Sequence, residues 1–175
     1  MRRATLLAAV LCLAAPAGAQ PGRTKWGVQT GARATTGQLA DRYGVGFVLG
    51  FESAFMPSWF GVVWAMQYTW FWNRSDPRNV DTMSLIDLDL AARARLSLGS
   101  GFPIFVWGQV GIGLVRTSVP IEPDLDSGFI GPSFGGGAEL AMWSPVILSL
   151  AGDYSFYQGG PSGFRMLFSV GVAAH

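Results

Sequence analysis

The sequence predicts an all-β fold, an antiparallel up-and-down transmembrane barrel of about eight strands with a polar lumen. Three observations predict it: an export signal, a mature chain that is rich in apolar residues yet has no helix-length apolar run, and a hydrophobic period of two. Half of the 175 residues are hydrophobic. Because only helices and closed barrels satisfy all backbone hydrogen bonds within lipid, a chain of this kind is expected to close into a barrel.

The first 19 residues have the pattern of a secretory signal peptide. Arg2 and Arg3 provide a positive n-region, Thr5 to Ala15 form an apolar run, and Ala17-Gly18-Ala19 is a small-residue cleavage site. The apolar run is shorter than the roughly 20 residues that a transmembrane helix needs. We therefore expect cleavage after Ala19 and one domain, the barrel, over residues 20–175.

Composition excludes several classes of function. The one cysteine, Cys12, lies in the predicted signal peptide, so the mature chain is expected to have no disulfide, thiolate metal site or cysteine nucleophile. A net charge of +1 argues against binding to nucleic acid. No motif indicates a cofactor.

The period of two is clearest in two adjacent segments. Over Trp59–Trp72, one face carries the bulky apolar residues Phe60, Val62, Trp64, Met66, Tyr68, Trp70 and Trp72. Over Ile86–Leu96, one face carries the four charged residues Asp87, Asp89, Arg93 and Arg95. A helix would spread these positions around its surface, whereas a strand places them on one side.

Six further segments alternate in the same way and bring the predicted strand number to about eight. They are Lys25–Ala34, Tyr43–Ala54, Ile104–Arg116, Gly128–Met142, Val146–Tyr157 and Gly163–Ala174. Pro132 lies inside one of them. Because proline removes a ladder donor, a bulge or a strand start is expected there.

The connections alternate in length, as outward loops and tight periplasmic turns do in outer-membrane barrels. The long ones are Thr35–Arg42, Asn73–Asn79 and Thr117–Ser127, and the short ones are Phe55–Ser58, Leu98–Pro103 and Trp143–Pro145. Gln158–Ser162 is brief and departs from this alternation. The long loops are expected to face the outside of the cell.

The alternation gathers the polar strand residues on one face, with five acidic and five basic side chains that can pair. They are Lys25, Arg33, Glu52, Gln67, Asp87, Asp89, Arg93, Arg95, Gln109, Glu139, Asp153 and Arg165. Because paired charges can be buried together, we predict a lumen charge network. Its members are Glu52, Asp87, Asp89, Arg93, Arg95, Glu139, Asp153 and Arg165.

Aromatic residues cluster near the ends of the predicted strands, as an interfacial girdle requires. They are Trp59, Phe60, Trp70, Trp72, Phe102, Trp143, Tyr154, Phe156 and Tyr157. Together with consecutive rings on one face, such as Trp64 and Tyr68, they favour a barrel with polar residues inside. The alternative, a soluble lipocalin-like barrel that binds lipid, would place the apolar face inside.

These features resemble the OmpA/OmpX-like family of eight-stranded outer-membrane barrels, as an architecture over Gln20 to His175. The resemblance implies a barrel-only member, since no peptidoglycan-binding domain follows. It also implies insertion by the barrel-assembly machinery, which reads a terminal aromatic residue in this family. Here the strand from Phe164 to Val172 is followed by Ala-Ala-His, so the chain departs from that signal.

Candidate chemistry is sparse. Some barrels of this kind modify lipid A with a Ser, His and acidic residue on the outer side, but His175, the sole histidine, is expected at the periplasmic end. Asp124-Leu-Asp126-Ser-Gly128 lacks the full ligand spacing of a calcium loop and is interpreted as a solvated loop. Gly135-Gly136-Gly137 lies in a strand pattern without the Lys-Ser/Thr of a phosphate loop.

Partners are suggested mainly by the lipid surroundings. Arg42, Arg74 and Arg78 lie in predicted outer loops, where they are candidates for pairing with lipopolysaccharide phosphates, although solvated loop charges explain them equally well. The balanced lumen charges favour a monomer.

The leading functional hypothesis is a non-enzymatic outer-membrane barrel with an envelope-structural or surface-contact role. A barrel of about eight strands is just wide enough for side chains to fill, so the lumen charges are interpreted as a plug. A narrow pore for ions or very small solutes is the first alternative, and the lipocalin-like barrel is the second.

Overall fold

The computed structural model describes residues 23–36, 40–41, 43–72, 82–98, 103–118, 128–143 and 145–174. Eight antiparallel strands follow one another in sequence order around a closed barrel, and β1 pairs with β8 to close it. They are β1 (Arg23–Thr35), β2 (Val45–Met56), β3 (Phe60–Trp72), β4 (Thr82–Ser97), β5 (Ile104–Thr117), β6 (Gly128–Trp143), β7 (Val146–Ser155) and β8 (Gly163–Ala174). The predicted fold is confirmed.

Side chains alternate between the lumen and the outer wall along every strand. In β3 the inward Val63 is 3% exposed, while its outward neighbour Trp64 is 47% exposed. Large apolar side chains cover the outer wall, and the charged strand residues whose side chains are described face the lumen, with the exception of Arg116 on β5. The polar-lumen prediction is therefore confirmed, and the lipocalin-like alternative, which requires the reverse arrangement, is wrong.

The two ends of the barrel differ in their connections. One end, called the turn end, holds the short links 57–59, 98–103 and 144–145 together with the start of β1 and the end of β8. The opposite loop end holds the longer connections 36–44, 73–81, 118–127 and 156–162. Because β7 ends at Ser155 rather than Tyr157, the last connection is longer than the sequence suggested and agrees with the alternation.

Pro132 lies within β6 without a bulge or a strand start, so that expectation is wrong. It pairs in register with Ile112 of β5, and its carbonyl accepts a hydrogen bond from the Phe156 amide. In an antiparallel ladder the amide and the carbonyl of one residue point to the same neighbouring strand. For Pro132 that strand is β7, and the β6–β7 ladder ends at the adjacent pair, Ser133 and Ser155. The hydrogen bond that proline cannot donate would therefore lie just beyond that ladder. The register shift in β6 lies between Ala141 and Trp143.

Buried apolar residues cluster at each end of the lumen. At the loop end the cluster consists of Tyr43, Phe71, Met83, Leu85, Val115 and Tyr157. At the turn end it consists of Ala54, Met56 and Val63. The loop-end cluster covers the charged network on that side, whereas Arg95 at the turn end is partly exposed.

Residues 1–22 lie outside the described residues, so signal cleavage after Ala19 stays a prediction. The described residues contain no helix long and apolar enough to cross a membrane.

Close strand packing leaves no room for a side chain at several glycines, of which Gly31 is one. A Cβ at Gly31 would collide with the backbone carbonyl oxygen of Met166 on β8, whereas a Cβ at Gly108 would have no atom closer than 3.9 Å. We expect Gly31→Ala to lower the free energy of unfolding by about 1–3 kcal/mol through overpacking, and Gly108→Ala to leave it unchanged or slightly raised. Urea unfolding in lipid vesicles measures both, and equal midpoints for the two variants would contradict the observed packing.

Candidate functional site: the lumen charge network

The strand alternation builds the lumen site. Its charged side chains come from the inward-facing alternate residues of β1, β2, β4, β6, β7 and β8. They are Lys25, Arg33, Glu52, Asp87, Asp89, Arg93, Arg95, Glu139, Asp153 and Arg165. The eight residues of the predicted network all point into the lumen. Two neighbours on the predicted polar face, Lys25 and Arg33, complete the set.

A turn-side cluster joins two glutamates to three cations. Lys25 Nζ lies 2.7 Å from Glu139 Oε1 and 3.2 Å from Glu52 Oε1. Arg93 Nη2 lies 2.7 Å from Glu52 Oε2, and Arg93 Nη1 is 3.6 Å from Glu139 Oε1. Arg95 contacts Glu139 Oε2 at 3.5 Å. Each carboxylate is shared between cations. Because three cations face two carboxylates, this cluster carries one excess positive charge.

Arg93 is further fixed by uncharged neighbours. Its guanidinium lies 3.9 Å from the ring centroid of Trp107, and its Nε and Nη2 both donate to Gln109 Oε1, at 3.0 and 2.7 Å. A guanidinium stacked on a ring and held in several hydrogen bonds is restricted to one orientation. Arg93 therefore acts as a fixed cross-link between β4 and β5.

A loop-side cluster is organised around Arg165. Its Nε donates to Asp153 Oδ1 at 2.5 Å, and its Nη2 lies 2.9 Å from Asp89 Oδ2. Asp87 Oδ2 accepts from Arg33 Nη1 at 2.6 Å, and its Oδ1 is 3.9 Å from Arg165 Nη1. Three carboxylates face two guanidinium groups, so this cluster carries one excess negative charge and balances the turn-side cluster.

Two glutamines connect the clusters along the barrel axis. Arg165 Nη1 donates to Gln67 Oε1 at 2.8 Å, Gln67 Nε2 donates to Gln29 Oε1 at 3.0 Å, and Gln29 Nε2 donates to Glu52 Oε2 at 3.1 Å. Each amide donates in one direction and accepts from the other. The network is therefore continuous between the two charge clusters. Sequence reasoning missed Gln29, although it has the same parity as Lys25 on β1.

The last loop turns inward over this network. Tyr157 was expected in the aromatic girdle, which is wrong: its side chain is only 1% exposed, and its hydroxyl donates to Asp87 Oδ1 at 3.3 Å. Burial, together with the charges of Asp87 and Asp89, raises the pKa of Tyr157, so the phenol remains a neutral donor. Arg33 Nη2 holds the loop through the Pro161 carbonyl at 2.6 Å.

Side chains fill the lumen almost completely. Two cavities between described lumen residues have volumes of about 10 Å³ each, roughly the space that one water molecule needs. Within the described ranges no group of three His, Cys, Asp or Glu residues is placed to hold a metal ion. Such close filling by ion-paired side chains is the arrangement of a cross-linked plug.

Aromatic side chains cluster on the outer wall near both ends. Trp59 and Phe60 lie in contact at the turn end, with ring centroids 5.9 Å apart. Trp70 and Trp72 lie outward at the loop end of β3. On β7, Tyr154 packs against Phe134 at 5.6 Å, and Phe156, just beyond the strand, is 50% exposed. Phe102 and the side chain of Trp143, also predicted for the girdle, lie outside what the structure describes.

Several other sequence candidates lie outside the described residues as well. They are His175, Asp124, Asp126, Arg42, Arg74 and Arg78. Gly135, Gly136 and Gly137 are within β6, in agreement with their interpretation as strand residues.

The chain is similar to known proteins in its fold. No protein-family model and no curated protein sequence matches the chain. Among solved structures, Ail, the attachment invasion locus protein of Yersinia pestis, aligns with a TM-score of 0.61 over 89% of this chain and 100% of that one, at 11% identity. This chain has the fold of a small outer-membrane β-barrel.

Two further solved structures share this outer-membrane barrel fold. Neisserial surface protein A (NspA) aligns with a TM-score of 0.58 at 18% identity, over 87% of this chain and 96% of that one. The outer-membrane enzyme PagL aligns with a TM-score of 0.55 at 17% identity, over 84% and 97%. Because the fold is shared by an enzyme, it does not itself decide whether the barrel is catalytic.

The network predicts that replacing two different lumen arginines lowers the free energy of unfolding by unequal amounts. Arg165 is 2% exposed and holds three carboxylates, whereas Arg95 has one ion pair, at 3.5 Å, and a partly exposed side chain. We expect Arg165→Met to destabilise the barrel by about 3–5 kcal/mol, because it leaves buried carboxylates unpaired. The matched variant Arg95→Met should destabilise the barrel clearly less, because Glu139 keeps its 2.7 Å contact with Lys25. Urea titrations of the refolded variants test this, and a similar loss in both would refute the assigned centre.

Proposed function

We propose that this chain is a non-enzymatic barrel of the bacterial outer membrane with an envelope-structural or surface-contact role, exported after cleavage of residues 1–19. The observation that supports it is the lumen, in which ion-paired side chains leave cavities of only about 10 Å³. A barrel that is cross-linked inside and apolar outside is suited to span a membrane as a rigid support. It is not suited to carry solutes.

The proposed orientation places the loop end outside the cell and the turn end in the periplasm. Short turns and long loops occupy these sides in outer-membrane barrels. Insertion would then depend on the barrel-assembly machinery, although the final strand is followed by His175 instead of ending on an aromatic residue. We propose a monomer, because the two lumen clusters neutralise each other within one chain.

Surface contact would use the loop-end connections. Ail, which shares the fold, is named an attachment invasion locus protein and has been solved with the heparin analogue sucrose octasulfate. Barrels of this size therefore do present ligand-binding surfaces. For this chain, contact through 36–44, 73–81 and 118–127 is the corresponding proposal.

A narrow pore is the second candidate, because the turn-side pairs are able to exchange partners. Lys25 and Arg93 each lie within 4 Å of both Glu52 and Glu139. A small rotation of Lys25 would therefore trade one carboxylate for the other, whereas Arg93 would first have to leave Trp107 and Gln109. Such exchange would have to open both clusters and displace Tyr157 before ions could pass.

Single-channel recording separates the plug from the pore. We expect the wild-type protein in planar bilayers to give no stable conductance steps, because the charge clusters and the loop-end apolar cluster block the lumen in series. An open porin in the same membrane provides the positive control. Discrete steps from the wild type whose amplitude changes in Arg93→Gln would establish the pore and overturn the plug.

The non-enzymatic proposal predicts that lipid A is left unmodified. The sequence has a single histidine, His175, and the residue before it ends β8 at the turn end, away from the proposed outer surface. Mass spectrometry of lipid A from cells that overproduce the protein should show the acyl pattern of the empty-vector control. An altered acyl pattern would show an enzyme, and we expect such an alteration to persist in His175→Ala, because that residue follows the turn end of β8.

A further inference from the structure

One charged strand residue breaks the rule that places charges in the lumen. Arg116, the penultimate residue of β5, points to the outer wall and is exposed. Every other charged strand residue whose side chain is described faces inward. An arginine on the lipid side is unfavourable at the membrane centre, and this cost falls toward the interface. Its position along the strand is therefore informative.

The register places Arg116 at the edge of the apolar wall. From Ile104 to Leu114 the outward residues of β5 are Ile104, Val106, Gly108, Val110, Ile112 and Leu114, and Arg116 is the next outward residue. Ten residues of strand rise about 33 Å, and a tilt of about 40° reduces this to about 25 Å along the barrel axis. That is about the height of the apolar band of an outer-membrane barrel. Arg116 thus lies at the headgroup level of the loop end.

The neighbours of Arg116 in the part of the chain that the structure describes are small or polar on one side. It lies opposite Gly128 of β6 and Ile86 of β4, and among the described residues a Cβ at Gly128 would meet nothing within 4 Å. Ser118 is the next outward residue toward the loop end and is exposed. Its Oγ accepts a hydrogen bond from the Ser84 amide at 2.9 Å. Within the described residues the guanidinium of Arg116 has no ion pair or hydrogen bond.

Aromatic rings border the same patch. Trp70 pairs in register with Ser84 across β3 and β4, and Trp72, the last residue of β3, is 57% exposed. Tryptophan at this level marks the boundary between acyl chains and headgroups. A cation, a hydroxyl and bordering indoles at one membrane depth are complementary to a phosphorylated headgroup.

We propose that Arg116, assisted by Ser118, binds the phosphate of an outer-leaflet lipid, the lipid A of lipopolysaccharide. This rests on the proposed outer-membrane location, with the loop end outside. A guanidinium makes paired, charge-assisted hydrogen bonds to phosphate oxygens. The loop arginines Arg42, Arg74 and Arg78 are not needed for this site.

Native mass spectrometry of the detergent-solubilised protein tests the proposal with diphosphoryl lipid A as the probe. The wild type is expected to form a one-to-one adduct that Arg116→Gln weakens by about tenfold, the loss of one charge-assisted contact. Arg116→Lys keeps the charge and should retain most of the adduct. Unchanged binding in Arg116→Gln would overturn the assignment.

Two measurements on the wild type keep the test decisive if Arg116→Gln does not fold. Chemically dephosphorylated lipid A should bind much less than the diphosphoryl form, and equal binding would overturn the proposal. Inorganic phosphate at millimolar concentration should not displace lipid A. Full displacement would show a free-phosphate site instead. Neither result depends on whether the lumen conducts, so the plug and the lipid site fail independently.

Discussion

The neutralisation of charge inside the barrel is the constraint on which the rest of the structure depends. Lipid around an apolar wall offers no solvation to a charged side chain, so strand charges at the depth of the acyl chains must face inward and compensate one another there. The turn-side cluster has an excess cation and the loop-side cluster, centred on Arg165, an excess carboxylate. Gln29 and Gln67 connect the two clusters, and apolar side chains cover the loop end.

The strand alternation explains why so much of this could be predicted. Asp87, Asp89, Arg93 and Arg95 share a parity, and in an eight-stranded barrel that parity must face either the lumen or the lipid. Partner choice could not be predicted, because Lys25 meets Glu139 only through closure of β1 on β8 and the stagger of the strands. Tyr157 was misplaced because β7 ends two residues early and its loop folds inward.

A filled lumen moves the functional surface to the outside of the molecule. The interior provides rigidity through buried ion pairs, and such pairs favour a single arrangement because each broken contact leaves a charge unpaired. Other molecules can then meet the protein at the loop end and on the lipid-facing wall. The loop-end connections and Arg116 both lie toward the loop end of the barrel.

Tryptophan fluorescence in lipids with brominated acyl chains tests the inside-outside arrangement most directly. Two single-tryptophan variants are needed, one that retains Trp64 on the outer wall and one that retains Trp107 beside Arg93 in the lumen, with the other tryptophans replaced by Phe. The structure predicts strong quenching of Trp64 and little quenching of Trp107. Equal quenching of the two, or quenching of Trp107 alone, would contradict a polar lumen enclosed by an apolar wall.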